Sequence, residues 1–238
     1  MQTLADVLAR DRRSDAPALF AEGPTTQRYD YRRFLTTAWK TGNLLHKLGV
    51  RTGAEVAIVP SARAQPVLTF LGASLLGAVT TFDPSREVEA RAFVAPTDRL
   101  GEYDIAPGTA TIGYGADPEN PAHDYWEGGV WSENPTMPPE PATPSDPILD
   151  DGDRRYTHAD LLAGAEWAVD ELALTAEDTV SVGGRVASPA VLAAGVIAPL
   201  VAGASTRLDG GDGDTAGVVD GASIDVSDGF FERVEASR

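Results

Sequence analysis

The sequence predicts an α/β protein built from two pseudo-repeated parallel-sheet units covered by helices, and three observations predict it. The order helix, strand, helix, strand occurs twice, with short connections. The strands are short apolar runs of the kind buried on both faces. The two stretches also match position by position: Arg28 and Tyr29 correspond to Arg155 and Tyr156, Ala38 to Ala165, Leu45 to Leu172, Val56 and Ile58 to Val180 and Val182, and Gly77 and Ala78 to Gly203 and Ala204.

Each element has its own local reason. Phe34, Ala38, Leu45 and Leu48 recur at helical spacing, as do Leu161, Ala165, Ala168 and Leu172. Thr157 followed by Asp160 is a capping-box start for the second of these helices. Gly49 is placed to end the first in a left-handed cap. Strands follow at "EVAIV" and "TVSVG". The next helices begin near Pro66 and Pro189, where proline suits a first turn, and end at Gly77 and Gly203. The last strands are "VTTF" and "STRL".

Residues 94–147 are rich in Pro, Gly, Asn and Asp, have little periodicity, and read as a connecting excursion. The expected organisation is therefore a first unit at 1–93, the excursion at 94–147 and a second unit at 148–238, the two units packing as one domain. Tyr125, Trp126 and Trp131 are expected to anchor the excursion to the protein's own core.

Charge restricts the partners. With 36 acidic and 19 basic residues the net charge is −17, which repels nucleic acid and anionic membranes. Lys40 and Lys47 are the only lysines, and this acid-rich, lysine-poor balance is the one that keeps proteins hydrated in concentrated salt. A halophilic, archaeal cytoplasm is expected. The N-terminal stretch has no apolar region after Arg12 and Arg13 and does not read as an export signal. The charge-poor stretches 64–82 and 186–206 are broken by Gly, Pro, Ser or Thr and read as core.

There is no cysteine, and His46, His123 and His158 are far apart, so no metal site is expected. Asp209, Asp212, Asp214 and Asp220 lie among glycines but fit no calcium-loop spacing, and read as a solvated acidic loop.

The stretch from Tyr29 to Pro84 resembles the early region of the adenylate-forming enzymes, the acyl-CoA synthetases and their relatives. There a tyrosine-led helix ends in a turn and strand like "LGVRTGAEVAI", followed by a helix and a "GAVTTFDP"-like strand. The resemblance spans roughly residues 1–93 and, more loosely, 145–210. It implies the N-terminal α/β scaffold of that family. It also implies a strand leading into a hydroxyl-rich loop with a lysine, then a Thr-His pair; in the family this loop embraces the phosphates of ATP. Here "PIL" matches the strand, and Thr157 and His158 match the pair, but only "DDGDRRY" stands between them. Asp150, Asp151 and Asp153 would repel a polyphosphate by several kcal/mol. The family's adenine and ribose motifs find no counterpart in residues 221–238.

The expectation is a non-catalytic, degenerate synthetase-like protein without catalytic residues or cofactor, acting as a binding or partner protein, its partner a full-length synthetase or another protein. One alternative is an adenylate-forming ligase completed by another chain, which would use ATP or AMP with magnesium. The other is a small-molecule binding module. Ligand-binding candidates are Ser61 and Arg63 in "VPSARAQP", Arg154, Arg155 and His158 around the helix start, and Gly183, Gly184 and Arg185 in "VGGRVASP". Against them stand arginine–aspartate pairing at 150–155 and a plain glycine turn at 183–184. Oligomeric state is left open.

Overall fold

The computed structural model describes residues 1–21, 27–139, 142–183, 186–208, 215–218, 222–226 and 229–237. Two compact units emerge: one of residues 1–35, 61–64 and 156–238, the other of residues 36–60 and 65–155.

Each unit is organised around one of the repeats. In the first, the strands Thr179–Gly183 and Ser205–Leu208 run parallel, with Val180 opposite Thr206 and Val182 opposite Leu208. In the second, Glu55–Ile58 and Val79–Phe82 run parallel, with Val56 opposite Thr80 and Ile58 opposite Phe82. The residue pairs matched by sequence therefore occupy the same register. Even the entry to each pair is the same, since the Val79 amide donates to the Ala54 carbonyl at 2.9 Å and the Ser205 amide to the Asp178 carbonyl at 3.0 Å.

The compact units nevertheless differ from the sequence repeats because each takes a strand from in front of the other repeat. Pro17–Ala21 precedes the first repeat but lies parallel to Ser205–Leu208, Leu19 facing Thr206. Pro147–Asp150 precedes the second repeat but lies parallel to Val79–Phe82, Leu149 facing Thr80. Thr206 and Thr80 are equivalent, so the exchange is reciprocal.

Around the parallel core of the first unit, antiparallel strands complete a six-stranded sheet in the order Ser223–Asp225, Thr215–Val218, Thr179–Gly183, Ser205–Leu208, Pro17–Ala21, Gln27–Asp30. The helix His158–Glu171 packs on the helical run from Pro189 to Ala202 and on Phe230–Ala236. That run passes through a π-helical turn at Leu192–Ile197. Pro199 has no amide hydrogen to close a bond on the Gly195 carbonyl. The Thr206 hydroxyl donates to that carbonyl instead, at 2.9 Å.

In the second unit six strands of a seven-stranded sheet run parallel, in the order Pro147–Asp150, Val79–Phe82, Glu55–Ile58, Ala92–Pro96, Ala110–Tyr114, Asp124–Tyr125. The seventh, Arg155–Thr157, starts at the unit's last residue. The stretch read as an excursion thus supplies the last part of Ala92–Pro96, all of Ala110–Tyr114 and Asp124–Tyr125, and the helix Trp126–Ser132. Its strands are too short for periodicity to show among turn residues. Ile112 and Tyr114 are buried, and Trp126 is packed inside, while Trp131 stands 84% exposed.

Both repeats end their helices in the same way. Gly49, Gly77 and Gly203 have φ of 89°, 63° and 81°. The amide after each reaches back five residues: Val50 to Leu45, Ala78 to Ala73, Ala204 to Pro199. The fourth helix end makes the same bond, Leu174 to Val169, but its left-handed residue is Ala173, at φ 49°. Alanine in that region carries a steric cost of about 1 kcal/mol. Ala173→Gly is expected to raise stability by about 1 kcal/mol in urea unfolding, since Ala173 is exposed and loses no packing.

Candidate functional site

The turn between Asp150 and Arg155 carries the chemistry in question. The strand Pro147–Asp150 delivers Asp150 to the carboxyl end of the parallel sheet, where α/β proteins collect ligands. A phosphate-binding loop there would aim its amides outward. Here the side chains take them. Asp150 Oδ1 accepts the Gly152 amide at 2.9 Å, and Asp151 Oδ1 accepts the amides of Asp153 at 3.0 Å and Arg154 at 2.9 Å. Gly152, at φ 95°, permits the tight return.

Arg155 closes the turn, donating from Nε to Asp150 Oδ2 at 2.9 Å and from Nη2 to Glu55 Oε1 at 3.0 Å. The Gly152 amide first, and the Arg155 guanidinium second, hold the Asp150 carboxyl below its ordinary range. A carboxyl depressed on folding adds stability above its unfolded value, about pH 4, and loses it as pH falls through the folded value. Asp150→Asn is expected to flatten the acid limb of the stability curve, read by urea midpoints between pH 3 and 6.

In the first unit, the start of the helix His158–Glu171 is closed from within. Asp160 Oδ2 accepts the Thr157 amide at 2.9 Å and hydroxyl at 2.8 Å, and the Asp160 amide donates to Thr157 Oγ1 at 3.2 Å. The capping box is therefore as the sequence implies, and a carboxylate already stands at the helix N-terminus. His158 is fully buried, and its Nδ1 accepts the Leu4 amide at 3.1 Å. An accepting Nδ1 places the proton of the neutral ring on Nε2.

Of the other candidates, Ser61 Oγ accepts the Arg63 amide at 3.3 Å in a half-buried turn. Gly183 ends the strand Thr179–Gly183 opposite Thr215. Gly184 and Arg185 lie outside the described residues, as do Asp209, Asp212, Asp214 and Asp220. Ser188 Oγ caps the Val191 amide at 3.2 Å, with Pro189 in the first turn. No group of three or more His, Cys, Asp or Glu able to hold a metal occurs among the described residues. No helix among them is long and apolar enough to cross a membrane.

The α/β fold matches that of the N-terminal region of acyl-CoA synthetases. The anthranilate CoA ligase AuaEII, solved in complex with anthranoyl-AMP, superposes with a TM-score of 0.73 at 20% identity, over 89% of this chain and 46% of its own. The N-terminal domain of FACL13 from Mycobacterium tuberculosis gives 0.70 at 18% identity, over 89% of this chain and 58% of its own. The acyl-CoA synthetase of Brucella canis gives 0.68 at 20% identity, over 89% and 44%. The chain thus spans about half the length of these solved structures. No family model matches the sequence, and no curated protein does.

Proposed function

We propose that this chain keeps the acyl-CoA synthetase scaffold without its nucleotide chemistry and serves as a binding or partner protein. One observation carries the reading: the amides of Gly152, Asp153 and Arg154, the donors with which a phosphate loop holds a polyphosphate, are bonded to Asp150 and Asp151. ATP would have to displace these bonds and approach the same carboxylates. Calorimetry with ATP and magnesium in molar KCl is expected to show no binding; micromolar affinity would overturn the reading.

The net charge of −17 supports a concentrated-salt cytoplasm as the working environment. The melting temperature is expected to fall as KCl is diluted from molar to millimolar, because screening of like charges is lost. An unchanged value would remove this part of the proposal.

The second reading is an adenylate-forming ligase completed by another polypeptide. Its support is that the chain spans about half of each solved neighbour, one of which holds an acyl-adenylate. Pyrophosphate release by this chain together with a candidate partner, and by neither alone, would establish it.

A further inference from the structure

One row of side chains on the first unit's six-stranded sheet concentrates positive charge in an otherwise acidic chain. Side chains alternate across a strand, so residues opposite each other on neighbouring strands share a face. Thr206 faces the helical side, its hydroxyl donating to the Gly195 carbonyl, and Leu19 lies opposite it. Their successors Arg207 and Phe20 therefore face the other way, again opposite each other. Phe20 also lies opposite Arg28, and Arg207 opposite Ser181. Beyond Ser181 the register places Gly217 and then Ser223. The row thus crosses all six strands, a width of about 24 Å at ordinary strand spacing.

Both arginines lie over the one ring between them: the Arg28 guanidinium carbon is 5.7 Å from the Phe20 centroid and that of Arg207 is 5.3 Å away. Such a contact steadies a guanidinium and leaves its N–H edge to donate elsewhere. Arg28 and Arg207 are exposed, and Phe20 is half-buried. Among the described residues neither arginine meets a carboxylate, whereas Arg32, Arg99 and Arg155 each do. The second unit provides the comparison. Asp150 lies opposite Thr81 as Phe20 lies opposite Arg207, and Arg155 is the sequence counterpart of Arg28. There the carboxylate of the equivalent strand accepts from Arg155 Nε at 2.9 Å. In the first unit a phenyl ring stands in the carboxylate's place and a second arginine in the threonine's. Two cations therefore gather where the other unit closes an ion pair internally.

We propose that this row docks an acidic protein segment, its carboxylates reaching Arg28 and Arg207 while an apolar side chain covers Phe20. Charge complementarity selects a partner bearing carboxylates. The net charge of −17 repels nucleic acid, and a row along a sheet face lacks the concavity that encloses a small molecule. Ser181 and Gly217 are small enough to let a partner's backbone come close. Contacts between guanidinium forks and carboxylates are short-range, so concentrated salt weakens them less than it weakens steering between distant charges. This inference rests on the partner reading of the proposed function and gives that partner its chemistry.

The test uses the full chain in molar KCl and a fluorescein-labelled helical peptide with leucines along one face and glutamates beside them, read by anisotropy. The glutamate peptide is expected to bind, and its lysine analogue is not. Arg28→Glu combined with Arg207→Glu should weaken binding about tenfold or more. The melting temperature should hardly change, since both side chains are exposed. If the charge-reversed pair does not fold, Arg28→Gln combined with Arg207→Gln takes its place, with the same loss expected. No binding of the glutamate peptide would overturn the proposal, as would equal binding by the variants or by the lysine analogue. Self-association abolished by the same substitutions would assign the row to a second copy and overturn it as well. ATP is absent throughout, so a failure here leaves the nucleotide reading standing, and ATP binding would leave this result standing.

Discussion

Gly72→Val is expected to destabilise the protein by about 3 kcal/mol, seen as a drop in melting temperature of about 9 °C. The helices Tyr31–Lys47 and Ala64–Ser74 meet there backbone to backbone. A Cβ at Gly72 would lie 2.7 Å from the Gly42 nitrogen, 3.0 Å from the Thr41 carbonyl carbon and 3.1 Å from the Ala38 carbonyl oxygen. Main-chain atoms cannot swing aside as a side chain can, so the helices must part, opening the buried layer of Ala38, Leu45 and Leu68. The small gain in helix propensity over glycine does not offset this. Gly101→Ala is the control, since nothing lies within 4 Å of its position. Equal melting temperatures for the two variants would contradict the close crossing.

His158→Ala is expected to cost about 3–5 kcal/mol, from two sources. Removing a fully buried ring leaves a void, and the Leu4 amide loses its acceptor in a place closed to water. His158→Asn separates the two, because its carbonyl oxygen can stand where Nδ1 stood. It should recover the hydrogen-bond part of the loss and little of the packing part. Urea unfolding of the three proteins measures both. If alanine and asparagine are equally destabilising, the bond to Leu4 contributes nothing.

Elements that declare themselves locally were legible from sequence. The strands at Glu55, Val79, Thr179 and Ser205 are apolar runs bounded by turns, and Gly49, Gly77 and Gly203 mark the helix ends that need a left-handed residue. Ala173 performs the same task without glycine and gave no signal. The pairing of Pro17–Ala21 with Ser205–Leu208 was illegible because a short apolar strand carries no mark of a partner far along the chain. It is this pairing, and its counterpart at Pro147–Asp150, that draws the compact units differently from the repeats.

At the site, sequence exposed the charge of the 150–155 turn and its arginine–aspartate pairing, as at Arg155 and Asp150, but not the bonding of its amides. Asp150 and Asp151 accept the amides of Gly152, Asp153 and Arg154, an arrangement that the charge of the turn does not announce. His158 stood among the ligand-binding candidates at the helix start because nothing in sequence connects it to Leu4.

The exchanged strands also bear on how the chain is made. Pro17–Ala21 leaves the ribosome well before its parallel neighbour Ser205–Leu208. At about 5–20 residues per second the first segment waits on the order of ten seconds or more before its partner exists. The segment before residue 205 therefore cannot complete its sheet until that strand is made, and one edge of "PALFA" stays unpaired throughout that interval.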